Sequence, residues 1–257
     1  MKFGAVQHVF TNADTDLARF ERGKALGFSG IEPDLTVEDL ADPTEARLAS
    51  IKAACDATGL EIPALSLGVH SAEGFLFASW RGDQPVQEIR KTIQWCHTLG
   101  AKAVLVPFFC YNEPRNAVQR ERVADVLAPL CREAEALGVD VCFEGMLTAT
   151  ELKEIAAKIN SPAFGVYFDM GNSVYADLDP AAEAKSLGSL VRRVHIKDTQ
   201  AMAGDSVLGE GRVDFPAVAA ALSDIAYEPW MVFEAFGKSD EDLVQSMAFA
   251  KKYFPIA

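Results

Sequence analysis

The chain of 257 residues has few histidines, no concentrated run of basic residues and no long apolar segment. Lys and Arg number 24 against 37 Asp and Glu, which gives a formal net charge of −13. Such an acidic chain repels nucleic acid unless a basic face compensates, and no run of Lys and Arg provides one. The N-terminus lacks a basic region followed by an apolar stretch. We therefore expect a cytoplasmic protein without a nucleic-acid or membrane partner.

The cysteines show no C-x-x-C spacing and lie inside apolar helix or strand patterns. They are Cys55, Cys96, Cys110, Cys131 and Cys142. Without paired spacing, neither a disulfide framework nor a structural zinc site is expected. The pattern predicts five small core residues in a reducing compartment.

The chain does have a regular alternation of helical and strand-like segments. Glycines that end a helical stretch before an apolar run recur at Gly27, Gly59, Gly100 and Gly138. Glycine at such a position takes the left-handed conformation that terminates a helix. The intervals, roughly 30 to 40 residues, suit one strand, one helix and two loops, and we count eight such units. The sequence therefore predicts an α/β fold, a single (β/α)8 TIM barrel that spans residues 1–257 as one catalytic domain.

The predicted strands cover residues 3–7, 29–32, 61–67, 102–107, 139–144, 164–169, 191–196 and 230–234. Helices fill the intervals, with predicted starts at Asp42-Pro43, at the capping box from Thr148 to Glu151, and at Asp214-Phe215-Pro216. The longest connections, 68–84, 107–115 and 197–213, all follow strands. Barrel enzymes carry their substrate-binding loops at this end of the strands.

Four successive predicted strands end in an acidic or imidazole side chain. These are Glu144, Asp169, His195 and Glu234. The carboxyl ends of parallel barrel strands converge on one face, so the four side chains should enter one small volume. A single acid at a strand end is often only a helix cap, but three carboxylates this close repel one another unless a cation lies among them. The set therefore predicts a site for one divalent cation, with Mn²⁺ or Mg²⁺ favoured and Co²⁺ or Zn²⁺ tolerated.

Such an ion can chelate two adjacent oxygens of a hydroxy-ketone and stabilise the charge that develops when a neighbouring carbon loses a proton. The product of that step is an enediolate. Glu144 and Glu234 lie on different strands and could flank a bound sugar on opposite faces, one removing a proton and the other returning it.

Three segments resemble the sugar phosphate isomerase/epimerase superfamily, the xylose isomerase-like TIM barrels: Val194–Thr199, Leu208–Phe215 and Phe168–Asn172. The pattern is most similar to the L-ribulose-5-phosphate 3-epimerase and hexulose-phosphate isomerase branch, over essentially the whole chain. The resemblance implies that Glu144, Asp169, His195 and Glu234 bind one divalent cation and that the two glutamates transfer protons. It also implies a small sugar or sugar phosphate as substrate and a homodimer or homotetramer.

The candidates for substrate contacts are His70, Asn172, Lys197, Glu210, Arg212 and Glu32. Free-sugar ketose 3-epimerases carry a histidine where this chain has Asn172, so their substrate contacts cannot be transferred unchanged. Glu210 and Arg212 lie in a Gly-Glu-Gly-Arg loop that resembles the phosphate-sugar branch, although Arg212 could equally be a solvated charge.

Each remaining candidate for a substrate contact allows a second, structural interpretation. His70 ends predicted strand 3 and could contact substrate or be a packed, hydrogen-bonded group. Lys197 could reach substrate or pair with Asp198. Glu32 could bond a sugar hydroxyl or orient a neighbouring side chain, and we favour the supporting role. The role of His8, which follows strand 1, stays open.

The leading hypothesis is a metal-dependent isomerase or epimerase that acts on a ketose or ketose phosphate, with 3-epimerisation favoured. Alternatives in the same geometry are a hydroxypyruvate or other 1,2-isomerase and an inosose dehydratase-like lyase. An apurinic endonuclease shares the barrel but uses many histidines and a basic surface, which this chain lacks. A non-catalytic sugar-binding barrel would not need two opposed bases.

Overall fold

The computed structural model describes residues 1–68, 70–71, 76, 82–235 and 237–255. These residues form eight parallel strands: β1 Lys2–Val6, β2 Gly30–Glu32, β3 Leu65–Ser66, β4 Ala103–Phe108, β5 Asp140–Gly145, β6 Phe164–Asp169, β7 Val191–Ile196 and β8 Trp230–Phe233. The described helices are α1 Asp16–Ala25, α2 Val37–Ala41, α3 Ala46–Thr58, α4 Gln84–Leu99, α5 Ala117–Leu137, α6 Ala149–Ile159, α7 Met170–Tyr175, α8 Pro180–Leu187, α9 Phe215–Asp224 and α10 Asp240–Tyr253.

The strands form one sheet in the order β2-β1-β8-β7-β6-β5-β4-β3. Two isolated parallel bridges, Gly30 to Glu61 and Asp34 to Ser66, join the segments around β2 and β3 and bring the two edges of the sheet together. The sheet is therefore a nearly closed parallel barrel with helices between its strands. This confirms the predicted α/β class and TIM-barrel fold.

The third strand is much shorter than the predicted segment 61–67, whereas the other predicted strand limits agree to within one residue. Pro63 lies in the middle of the predicted segment and has no backbone N–H to donate to a ladder. Its carbonyl instead accepts a hydrogen bond from Arg193 Nε at 2.9 Å. The regular pairing of β3 therefore begins only at Leu65.

The predicted helix ends follow from local chemistry. The four glycines all have positive φ: Gly27, Gly59, Gly100 and Gly138. The capping box at Thr148 and the Asp214 cap are also confirmed. The predicted helix start at Asp42 is wrong, because the Asp42 carboxylate accepts the backbone N–H and the hydroxyl of Thr44 and holds a turn, so that α3 begins at Ala46.

Apolar side chains fill the barrel and the layer between strands and helices. Phe108 and Phe143 on neighbouring strands stack with ring centroids 4.4 Å apart. The prediction that all five cysteines are core residues is wrong for Cys110, which is exposed on a 3-10 turn after β4 in the left-handed conformation. Cys55 is only partly buried, and the other three are buried. Among the described residues, no helix is long and apolar enough to cross a bilayer.

Candidate active site

The barrel brings together the four side chains singled out at the strand ends. Glu144 is the penultimate residue of β5, Asp169 ends β6, His195 is the penultimate residue of β7, and Glu234 directly follows β8. The register of β6 and β7 places Asp169 beside His195. One ligand atom from each of the four residues lies within 4.8 Å of the others. The cluster therefore could hold a metal ion.

The donor chemistry of the cluster fits a divalent cation. His195 Nδ1 lies 3.0 Å from Glu144 Oε1, 3.3 Å from Glu234 Oε2 and 3.7 Å from Asp169 Oδ2. Carboxylate oxygens and one imidazole nitrogen, without a thiolate, suit Mn²⁺, Mg²⁺ or Zn²⁺. Glu144, Asp169 and His195 are buried, and Glu234 is partly exposed, which leaves the cluster accessible from one side.

Asp169 also caps a helix, which is the other interpretation of an acid at a strand end. Its Oδ1 accepts the backbone N–H of Asn172 at 2.7 Å in the first turn of α7, while Oδ2 faces the cluster. Asn172 itself is buried in that turn. The cap fixes the orientation of the Asp169 carboxylate.

Lys197 places a positive charge against the cluster. Its Nζ lies 2.8 Å from Asp169 Oδ2 and 2.5 Å from Glu234 Oε2, and the side chain is buried. Burial lowers the pKa of Lys197, but the carboxylates of Asp169, Glu234 and Glu144 outweigh it and raise the pKa above its ordinary value. Lys197 therefore carries an ammonium in this site, and its ion pairs are with the cluster rather than with Asp198.

The pKa values of the two glutamates are shifted in opposite directions. Burial raises the pKa of Glu144 to about 7, although His195 opposes the shift. Burial also acts to raise the pKa of Glu234, but the charges of Lys197 and His195 hold it well below its usual range. The protein groups that surround the two carboxyls therefore act on their pKa values in opposite directions.

Glu32 and Tyr167 position the His195 ring. Glu32 contacts the ring nitrogen that does not face the four-residue cluster, and Tyr167 packs against the ring itself. Glu32 is fully buried, and its Oε1 lies 3.1 Å from His195 Nε2. Tyr167 donates its hydroxyl proton to Glu32 Oε2, and its ring centroid lies 4.2 Å from that of the imidazole. Burial lowers the pKa of His195, but the carboxylates of Glu234, Glu32 and Glu144 raise it well above its ordinary value.

The sequence favours a supporting role for Glu32, and in the structure Glu32 contacts His195 and Tyr167. Tyr167 was missed by the sequence reasoning. It stands two residues before Asp169 on β6, and the alternation of side chains along a strand could have placed it on the same face.

Asp198 organises the loop after β7. Its carboxylate accepts four backbone N–H groups, from Thr199, Gly209, Gly211 and Val213, at 2.8 to 3.1 Å. A Cβ on Gly211 would lie 2.2 Å from Asp198 Oδ1, so glycine is needed for this close approach. The Gly-Glu-Gly loop is therefore folded around one buried carboxylate.

The structure places Glu210 and Arg212 on the outside of this loop, where both are exposed. Arg212 Nη2 donates to the carbonyl of Val174 at 3.2 Å, and Nη1 lies 3.6 Å from Asp177 Oδ1. Its guanidinium thus lies against the end of α7 rather than in the four-residue cluster.

His70 is packed against α4. It is fully buried, and its Nε2 lies 2.9 Å from Glu88 Oε2 on α4. Its carbonyl accepts the side-chain amide of Asn112. These contacts agree with the reading of His70 as a packed, hydrogen-bonded group.

Known proteins share both the sequence pattern and the fold. Residues 20–253 match the family model of the xylose isomerase-like TIM barrel. The putative L-ribulose-5-phosphate 3-epimerase SgbU of Escherichia coli K12 is 30% identical, over 91% of this chain and 88% of the relative. A D-allulose 3-epimerase from Methylomonas sp. superposes with a TM-score of 0.82 at 19% identity, covering 99% of this chain and 97% of that one.

The IolI protein with a bound zinc atom has a TM-score of 0.78 at 20% identity, with both chains fully covered. These likenesses agree with the resemblance seen in the sequence, and the relatives support an isomerase-type enzyme. With its family model matched over most of its length, the chain belongs to the xylose isomerase-like TIM barrels.

Proposed function

We propose that the protein is a divalent-metal-dependent 3-epimerase of a ketose or ketose phosphate. The observation that carries the proposal is the pairing of Glu144 and Glu234, from different strands, beside His195 Nδ1 at 3.0 and 3.3 Å. Epimerisation needs a base and an acid on opposite faces of one carbon. Two carboxyls from different strands that meet at one site are the groups we propose for these two roles.

In the proposed reaction, four side chains bind the cation and two of them also transfer the protons. Glu144, Asp169, His195 and Glu234 would hold one divalent cation, which would supply positive charge against the negative charge left when the ketose loses a proton. Glu234 takes the proton from C3, and Glu144 returns one to the other face. In the reverse direction the two glutamates exchange roles. Lys197, at 2.5 Å from Glu234, adds positive charge to the same region and favours the ionised carboxylate.

The relatives support this choice of reaction. SgbU is named as a putative L-ribulose-5-phosphate 3-epimerase, and the Methylomonas protein is named as a D-allulose 3-epimerase. The zinc atom in IolI supports a divalent cation in this kind of barrel. We propose Mn²⁺ or Mg²⁺ as the native ion, with Co²⁺ or Zn²⁺ as substitutes, because oxygen donors dominate the set.

The proposal also covers the phosphorylation of the substrate, the domain organisation, the location and the oligomeric state. The sequence resemblance to the phosphate-sugar branch favours a phosphorylated ketose, for which Arg212 and Glu210 stay candidate contacts after a loop movement. We further propose one catalytic domain over residues 1–257, a cytoplasmic location, and a homodimer or homotetramer.

A substrate panel tests the proposal. The metal-stripped protein is reconstituted with Mn²⁺, Mg²⁺, Co²⁺ or Zn²⁺ and given matched pairs of free ketoses and their terminal phosphates. We expect metal-dependent formation of the C3 epimer, with the phosphorylated member of a pair converted faster. Interconversion at C1 and C2 would mark a 1,2-isomerase, and a deoxy-ketone product would mark a lyase. Either result would contradict the 3-epimerase assignment.

A further inference from the structure

His8 stands on the rim of the barrel between two strands that carry site residues. It lies in a 3-10 turn, Gln7–Val9, directly after β1. β1 pairs with β2 so that Val6 is opposite Glu32, and with β8 so that Ala5 is opposite Phe233, the residue before Glu234. The turn that holds His8 therefore continues from a strand flanked by the strands of Glu32 and Glu234.

The charges that act on the His8 imidazole are those of the candidate active site. They come from Glu234, His195, Glu32 and Lys197. Burial lowers the pKa of His8, and these charges act in both directions. The imidazole ring has two nitrogens that can form hydrogen bonds, which suits contacts with sugar hydroxyls.

The turn is fixed from two sides. Gln7 Nε2 donates to the carbonyl of Asp34 at 3.1 Å, and Gln7 Oε1 accepts from Arg47 Nη2 at 2.7 Å. Arg47 is itself anchored by Asp16, with Nη1 2.8 Å from Oδ1. The Gln7 side chain therefore positions the turn. As a result, His8 is held in place before a ligand binds.

The residues that follow His8 in the chain, rather than His8 itself, pack into the core. Val9 and Phe10 are buried in the core, whereas His8 is partly exposed. His70 shows what a packed histidine looks like in this chain, since it is fully buried against Glu88. His8 differs from it in both exposure and surroundings.

We propose that His8 is a specificity-determining residue whose imidazole hydrogen-bonds an oxygen of the sugar bound at the candidate active site, on the side of β1. The proposal rests on the proposed function, because it assumes a sugar at the metal centre. It adds a substrate contact that does not involve the reacting carbon.

The test compares wild type with His8→Ala and His8→Gln on the best ketose and on its single-deoxy analogues. His97→Ala is the matched control, because His97 is exposed on α4 and contacts the Leu137 carbonyl. We expect His8→Ala to lower kcat/KM on the full ketose about tenfold to a hundredfold, as for loss of one bond to a polar substrate group. One deoxy analogue should show almost no further loss, and His8→Gln should recover part of the activity.

Two further readouts separate a substrate contact from a structural role. Mn²⁺ affinity, measured by electron paramagnetic resonance, and the Tm should be unchanged in His8→Ala. An equal loss on every analogue, no loss on any, or a parallel fall in Mn²⁺ affinity would overturn the proposal while leaving an active wild-type epimerase. A wild-type protein that neither binds nor converts any sugar in the panel would contradict the proposed function, and the His8 contact with it.

Discussion

His195 and Glu32 form a carboxylate–histidine pair behind the candidate metal centre, with 3.1 Å between Nε2 and Oε1. Because Nε2 is engaged by Glu32, the other ring nitrogen, Nδ1, is directed at Glu144, Glu234 and Asp169. Metal-ligating histidines usually use their second nitrogen in this way, which fixes the ring orientation and strengthens the ligand. Glu32 lies on β2 and His195 on β7, so the pair joins two strands that are not neighbours in the sheet.

Replacement of Glu32 by glutamine should weaken metal binding without unfolding the barrel. The amide cannot hold the imidazole as the carboxylate does, and loss of such a partner typically costs about 10-fold to 100-fold in metal affinity. An Mn²⁺ titration followed by electron paramagnetic resonance measures the change. Glu61→Gln, which alters an exposed ion pair with Lys2, is the control. Unchanged affinity in Glu32→Gln would show that this contact does not tune the site.

Glu144→Gln and Glu234→Gln should each abolish turnover while leaving the fold intact. Glutamine keeps the size of the side chain but cannot exchange a proton at the working pH. Steady-state rates, metal content and circular dichroism are measured on the same samples. Glu133→Gln on the surface of α5 serves as the control, since it changes only an ion pair with Arg90. A near wild-type rate in either active-site variant would remove that residue from the proton transfers.

Asp198→Asn should destabilise the protein because the Asp198 carboxylate anchors the loop after β7. The asparagine amide would point N–H groups at two of the four backbone donors that the carboxylate now accepts. Loss of charged hydrogen bonds at a buried site should lower the free energy of unfolding by about 2 kcal/mol or more. Urea unfolding measures it. Asp179→Asn, at an exposed helix cap, should cost much less, and equal losses would contradict the anchoring role of Asp198.

Asp34 should make stability depend on pH in the acid range. Burial raises its pKa from 3.8 to about 6, against the hydrogen bond from the Gly68 N–H. The folded chain therefore binds this proton more tightly than the unfolded chain, so the ionised carboxylate destabilises the fold as the pH rises through this window. Between pH 4 and 7, the stability of Asp34→Asn relative to wild type should rise by at most about 3 kcal/mol.

Thermal and urea unfolding of the metal-free proteins at several pH values measure this difference. Asp242→Asn is the comparison, because the Asp242 carboxyl is exposed at the α10 cap and its pKa is lowered by the Ser239 hydrogen bonds. A pH-independent difference between Asp34→Asn and wild type would contradict the assignment.

The sequence was sufficient for the fold and for the cluster of four residues because both follow from short-range patterns. Gly100 and Gly138 mark helix ends through their backbone conformation. Parallel strands align their carboxyl ends, so Glu144 and Asp169 at strand ends had to converge. Periodicity is less informative where one residue interrupts a strand, as Pro63 does before β3.

The sequence could not decide which partner a long side chain takes. Lys197 has Asp198 beside it in the chain, yet its ammonium reaches Asp169 and Glu234. The Asp198 carboxylate is instead used by backbone groups of a loop that returns from 11 to 15 residues later. Such choices depend on the three-dimensional path of the loop, which no local pattern encodes. The exposed placement of Arg212 has the same origin.

The most direct test of the account is turnover by the Mn²⁺-loaded protein in deuterated water, with the position of deuterium in the product read by NMR. Proton transfer between solvent-exchanging carboxyls and the substrate predicts deuterium at C3 of the epimer, dependent on the metal and absent with Glu234→Gln. Epimerisation without deuterium at C3, or deuterium incorporation that persists after the metal is removed, would contradict a metal-assisted exchange of protons by Glu144 and Glu234.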